Sequence, residues 1–98
     1  MADQGTRIFR WHETKAEANR ARHGVGFEEA ESVFDDPLAR IDPDPDHSDD
    51  ENREFIFGHS GKGRLLLVSF VERGDSVRII SAREADKEER KRYEEDIL

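Results

Sequence analysis

The stretch that decides the fold is Arg64-Leu65-Leu66-Leu67-Val68-Ser69-Phe70-Val71-Glu72-Arg73-Gly74-Asp75-Ser76-Val77-Arg78-Ile79-Ile80-Ser81-Ala82. Two runs rich in Leu, Val and Ile, Arg64 to Val71 and Ser76 to Ala82, flank Arg73-Gly74-Asp75, which has the composition of a hairpin turn. A third run, Glu54 to His59 with Phe55-Ile56-Phe57, precedes them across Ser60-Gly61-Lys62-Gly63, a second turn of the same kind. Consecutive strands joined by such short turns predict an antiparallel meander.

Working outward, Arg7-Ile8-Phe9-Arg10-Trp11 alternates like a short strand, and Glu13 to His23, Ala- and Lys/Arg-rich without Gly or Pro, predicts a helix. Gly24 stands where a left-handed C-terminal cap belongs. Gly26 opens a second helix, Phe27 to Phe34, with Glu28, Glu29 and Glu31 near its positive dipole end. Its apolar face is Phe27, Ala30, Val33 and Phe34, and Asp35-Asp36-Pro37 ends it, because a residue before proline is pushed out of the helical region. Leu38 to Ile41 fits a short strand, and Asp42 to Asp50, with two prolines and five aspartates, reads as a loop. Asp86 to Ile97 predicts a charged last helix, capped by the pair Asp86 and Glu89, with a narrow apolar stripe of Tyr93, Ile97 and Leu98. The polar residues 1 to 6 are expected to be disordered. The order predicts an α+β fold in one domain over residues 1–98. Its single antiparallel sheet comprises a short N-terminal strand and the three-stranded meander, packed with two N-terminal helices and one C-terminal helix.

The 98 residues contain no cysteine, which excludes disulfides, thiolate metal sites and a cysteine nucleophile. No stretch approaches the roughly 20 apolar residues of a membrane span, and nothing resembles a signal peptide, so a cytoplasmic location is expected. A net charge of −8 speaks against a nucleic-acid enzyme until its distribution is read. Residues 35 to 54 carry nine acidic and two basic groups, seven of the eight excess negative charges. Lys62 to Arg92 carries nine basic and six acidic groups, and a local basic surface can hold phosphate on an acidic protein.

The chain has no Walker A loop, dinucleotide fingerprint or nucleophile elbow, and its four histidines lack metal-ligand spacing. Asp42, Asp44 and Asp46 alternate like a calcium loop, but His47 stands where the loop needs glycine, so no metal and no cofactor are expected. Arginine remains. Arg53, Arg64, Arg78 and Arg83 lie in or beside predicted strands, and converging guanidinium forks suit a phosphate. Spacing alone favours instead a surface on which these arginines pair with Glu51, Glu54, Glu72 or Glu84. Lys15, Asn19 and His23 share one helix face by their spacing of four; His23 suits proton transfer, or else only the helix cap and dipole. Trp11 and Tyr93 could stack on bases, with a core role the better reading for Trp11.

Taken in order, Phe9-x-Trp11, Lys15, Asn19, His23-Gly24-Val25-x-Phe27-Glu28-Glu29-Ala30 and Val33-Phe34-x-Asp36-Pro37 resemble the N-terminal half of BrnT toxins. Glu51-x-Arg53, Gly58, Gly63-Arg64-x-Leu66-x-Val68, Arg78-Ile79-Ile80-Ser81-Ala82-Arg83-x-Ala85, Glu89-Arg90 and Tyr93 resemble the second half. The resemblance implies a RelE-like fold and a ribonuclease toxin that cleaves RNA without metal by 2′-hydroxyl attack, inhibiting translation. It implies a BrnA-like antitoxin with a ribbon-helix-helix domain, with DNA bound only through the toxin–antitoxin complex. Carried onto this chain, the site residues are Glu51, Arg53, Arg64, Arg78 and Arg83, with Lys15 and His23 beside them. Arg53, Arg64 and Arg83 are expected to bind phosphate, and Glu51 or His23 to transfer protons. Two departures stand out: His12 where an Asp is expected after the Trp, and the acidic stretch Asp42 to Glu51.

Two other classes fit less of the chain. An inactive toxin-like interaction module would suit the overall acidity. A DNA-binding regulator acting alone would need a basic recognition helix, and Glu88, Glu89, Glu94, Glu95 and Asp96 make the last helix a poor one.

Overall fold

The computed structural model describes residues 7–44 and 52–97. The elements run β1 (Ile8–Arg10), α1 (Glu13–His23), α2 (Phe27–Ser32), a 3-10 turn (Val33–Asp35), β2 (Arg40–Pro43), β3 (Arg53–His59), β4 (Leu65–Arg73), β5 (Ser76–Glu84) and α3 (Lys87–Ile97). The meander is present: β3 pairs antiparallel with β4, and β4 with β5. The stretch after Pro37 also joins the sheet, as β2 antiparallel to β3, so Asp42 and Pro43 are strand rather than loop. The second helix is shorter than its apolar pattern, tightening into the 3-10 turn after Ser32.

The expected all-antiparallel sheet needs one correction. The strand order is β1-β5-β4-β3-β2, and β1 runs parallel to β5, so the sheet is mixed. Alternation marks a segment as a strand but says nothing of its direction. Parallel neighbours require a long crossover, and here everything between β1 and β5 supplies it.

Both N-terminal helices lie on one side of the sheet. Val25, Phe27, Ala30 and Val33 pack there against Ile56, Leu66, Val68, Phe70, Val77, Ile79 and Ala82, with Phe9, Trp11 and Phe34 at the margin. The ring of Trp11 meets Phe27 edge-on at 5.8 Å, so the tryptophan is a core residue. Asn19 fastens α1 to the sheet. Its amide donates to the carbonyls of Val25 (3.0 Å) and Ala82 (2.8 Å), and its Oδ1 accepts from the Ala82 N–H at 3.1 Å. In β5 the register slips as Ser69 pairs with Ser81 and Phe70 with Ile79, leaving Ile80 as the extra residue. This bulge lets Val77 and Ile79, then Ala82, face the same core despite the odd spacing.

Two local devices close the helical layer. Gly24, at φ 71°, ends α1 with its N–H on the Arg20 carbonyl at 2.9 Å, the left-handed cap read from the sequence. Asp36 then ties the turn after α2 to the sheet, its carboxylate accepting from the N–H of Leu38 (2.9 Å) and of His59 (2.7 Å). Gly58 makes this approach possible, since a Cβ there would come within 2.9 Å of Asp36 Oδ2 and 2.8 Å of Ala39 Cβ.

Candidate active site

Opposed residues on adjacent strands point to the same side of a sheet, so the register defines rows across the face away from α1 and α2. In the first row Arg10 of β1 stands beside Arg78, Arg78 beside Val71, and Val71 beside Arg53. The second row is Phe55, Ser69 and Ser81, and the third is Phe57, Leu67 and Arg83. Contacts of α3 gather on the third row and beyond it. The Tyr93 ring lies 5.1 Å from Phe57 and 5.6 Å from His59, its hydroxyl donates to the Leu38 carbonyl, and Arg40 pairs with Asp96. The first row is four residues further along the strands, about 13 Å away at ~3.3 Å per residue. Half of this face is therefore covered by α3, and the other half carries arginines.

Arg53 and Arg78 are both half-buried, one strand apart, with Val71 between them. The Nε–H of Arg53 is buried with no acceptor among the described residues. A buried donor without a partner costs about 1–3 kcal/mol, and a bound anion would satisfy it. Beside Arg78, the exposed His12 places Nε2 2.7 Å from the arginine Nη2. A guanidinium can only donate, so the imidazole accepts at Nε2 and carries its proton on Nδ1. His12 is the N-cap residue of α1 but makes no side-chain cap bond; its ring is turned to Arg78 instead.

Arg83 occupies the border. Both of its terminal nitrogens reach Glu89 of α3 at 2.8 Å, while Glu89 also closes the capping box expected with Asp86. Hydrogen bonding from Arg83 holds the Glu89 carboxyl below its ordinary range, and the same pair raises Arg83. A phosphate reaching Arg83 must displace a carboxylate. One reaching Arg53 or Arg78 meets no such competitor among the contacts described.

Other predicted site residues lie elsewhere. Arg64 is on the opposite side of the sheet, where its Nη2 and Nε bond the two Glu29 oxygens at 2.5 and 3.0 Å and its Nη2 also bonds the Gly24 carbonyl at 3.0 Å. The Glu29 side chain is only 5% exposed and accepts a further bond from Ser60 at 2.7 Å. The Arg64 hydrogen bond lowers the Glu29 pKa against the opposing effect of burial, and Glu29 raises that of Arg64. Arg64 thus joins the turn before β4 to α2 and does not meet Arg53, Arg78 or Arg83. Lys15 and His23 are exposed on α1, behind the sheet, while Asn19 between them points inward, so the three do not form one surface cluster. Glu51 lies outside the described residues, as do Asp46, His47 and residues 1 to 6. Tyr93 is buried and unavailable for stacking.

Two residues of the open half were missed. Arg10 and His12 alternate with Phe9 and Trp11, so the sequence already put them opposite the core face. Their neighbour Arg78 is more than 60 positions away, and no local signal gives that pairing.

No curated protein matches the chain. The crystal structure of the Brucella abortus ribonuclease toxin BrnT is similar, with a TM-score of 0.66 and 26% identity, over 84% of this chain and all of that one. The family model for the ribonuclease toxin BrnT of type II toxin–antitoxin systems matches residues 11–89, from Trp11 to Glu89. With the helical layer, the meander, Arg53 and Arg78 all inside that span, the chain belongs to the BrnT family of ribonuclease toxins.

Proposed function

We propose that the chain cleaves RNA on the open half of its sheet, with Arg53 and Arg78, flanked by Arg10, holding the scissile phosphate. The observation that carries this is the row Arg10–Arg78–Val71–Arg53, which sets cationic forks side by side around a buried Val71, on the half of the face away from the described contacts of α3. Cleavage proceeds by attack of the ribose 2′-oxygen on the adjacent phosphorus, giving a cyclic phosphate and a free 5′-hydroxyl. The charge that builds on the phosphorane falls on guanidinium groups, so the reaction is metal-independent. Arg83 joins only if Glu89 releases it. Translation stops because RNA is lost, in the cytoplasm, until a ribbon-helix-helix antitoxin of the BrnA kind binds the toxin. DNA is engaged only by that complex. The match to a toxin–antitoxin family supports an antitoxin partner, and a single domain over residues 1–98 belongs to the same proposal.

The second reading, a toxin-like module that binds without cutting, is favoured by one observation: β2 ends and β3 begins at the Arg53 end of the sheet, and the sequence between them is acidic. There Asp44 donates its N–H to the Arg53 carbonyl at 2.9 Å. Induced expression in a bacterial host separates the two. The parent is expected to arrest growth and deplete RNA, and an Arg53→Ala, Arg78→Ala double variant to do neither. Purified double variant should lose at least about 100-fold in cleavage, the scale for one lost charge-stabilising donor, with its circular dichroism unchanged. A folded parent that spares both growth and RNA establishes the binding module instead.

A further inference from the structure

We infer that His12 is the general base of this cleavage, held idle by Arg78 until a phosphate arrives; the inference rests on the arginine row being the RNA site. The imidazole Nε2 lies 2.7 Å from Arg78 Nη2 and accepts its N–H, so the Nε2 lone pair is occupied. When a phosphate takes the Arg78 fork through two of its oxygens, that N–H turns to the anion and Nε2 is released within one contact of the phosphorus. The 2′-hydroxyl of the preceding ribose is then the nearest group able to donate to it. Base and phosphate site are coupled by a single hydrogen bond, and the ring meets the reach condition for proton transfer.

The bonds balance without a cofactor. Nε2 takes the 2′-hydroxyl proton as the oxygen's electron pair forms the P–O2′ bond. The P–O5′ bond breaks with its pair on the 5′-oxygen, which takes a proton from solvent water, and the imidazolium returns its own proton to the resulting hydroxide. The charged groups that chain and register set around His12 are Arg78 of β5, Arg10 of β1 and Glu13, the first residue of α1. Among the other predicted proton-transfer residues, His23 sits behind the sheet on α1. His12 alone of the described histidines touches the arginine row.

A His12→Gln variant tests this, because glutamine keeps an acceptor for Arg78 but cannot take a proton at that position. Cleavage of a short random-sequence RNA pool is followed from pH 5 to 9 for the parent, His12→Gln and the Arg53→Ala, Arg78→Ala double variant. Binding is measured on the same pool carrying 2′-O-methyl groups, which cannot be cut. The inference expects His12→Gln to lose about 100-fold or more in kcat, the usual span for a lost general base. It should bind the methylated pool within about twofold of the parent, and the rise of rate with pH should vanish. A His12→Gln variant that cleaves at the parent's rate and pH profile overturns the inference while loss in the double variant leaves the arginine site standing. Equal loss of binding and cleavage in His12→Gln makes the residue a positioning group and also overturns it. A parent that cuts no RNA removes both this inference and the cleavage reading beneath it.

Discussion

The two sides of the one sheet use arginine in opposite ways. Behind it, Arg64 meets a buried carboxylate, is bonded through two nitrogens, and belongs to the fold. In front, Arg78 and Arg53 stand in a row with Arg10, have a valine between them, and find a histidine or no acceptor where a carboxylate would be expected. An arginine that stabilises a fold is matched in charge where it sits; one kept for a ligand leaves that match to be made on binding. Arg83, paired with Glu89 at the border, is an intermediate case whose fork is occupied by a surface carboxylate.

The sharpest way to break this comparison is to remove the matched arginine. Arg64→Met leaves Glu29 buried without its cation and should cost about 3 kcal/mol, at the low end for a broken buried pair because Arg64 is partly exposed. Chemical denaturation reads that loss, and cleavage per folded molecule should stay within about twofold of the parent. Arg78→Ala should do the reverse, with stability within about 0.5 kcal/mol of the parent, as for ordinary surface changes, and cleavage severely reduced. An Arg64→Met protein as stable as the parent but inactive would return Arg64 to the site and erase the distinction between the two faces.

Asn19 sharpens the same comparison with a smaller effect. It was legible as part of a helix face with Lys15 and His23, yet it serves the core by pairing with the backbone of Ala82 and Val25. Asn19→Ala strands those buried backbone groups, and a loss of about 2 kcal/mol is expected, within the range for unsatisfied buried partners. Thermal unfolding measures it, and an unchanged midpoint would mean that α1 is held by Ala16 and Val25 alone.

How much was legible follows from what each signal encodes. The meander, both N-terminal helices, the Gly24 cap and the Asp86–Glu89 box are local patterns in which the residues that form the element are neighbours in sequence. The direction of β1 and the pairing of β2 are not local, since alternation is the same for a strand running either way. The site divides along the same line. Arg53, Arg64 and Arg78 look alike in the sequence, each an arginine in or beside a predicted strand, and only the facing Glu29 sets Arg64 apart. His12 stands out in the sequence only as a departure from an expected Asp, and its neighbour Arg78 is visible only in the fold.

The smallest effect expected is in the acid response, where the two faces should again separate. Glu29 has its carboxyl lowered from the ordinary 4.5, first by the Arg64 hydrogen bond and against the cost of burial. A carboxyl lowered by folding contributes stability that is full above its unfolded pKa and is lost as pH falls through the folded one. Arg64 is raised by the same pair from a value already far above the acid range, so it adds nothing to that slope. Denaturant midpoints between pH 7 and pH 3 should therefore fall for the parent and fall less steeply for Glu29→Gln, which is less stable at pH 7 but has no proton to gain. Glu89, lowered by Arg83, adds a second and more solvent-screened part of the slope, which Glu89→Gln should remove. Arg53→Ala and Arg78→Ala should leave the slope as it was, because the contacts described for those arginines include no carboxylate whose proton affinity they set. A flattened acid limb in either variant would reveal a carboxylate bound to the arginine row in the free protein, and the front of the sheet would then be matched in charge like the back.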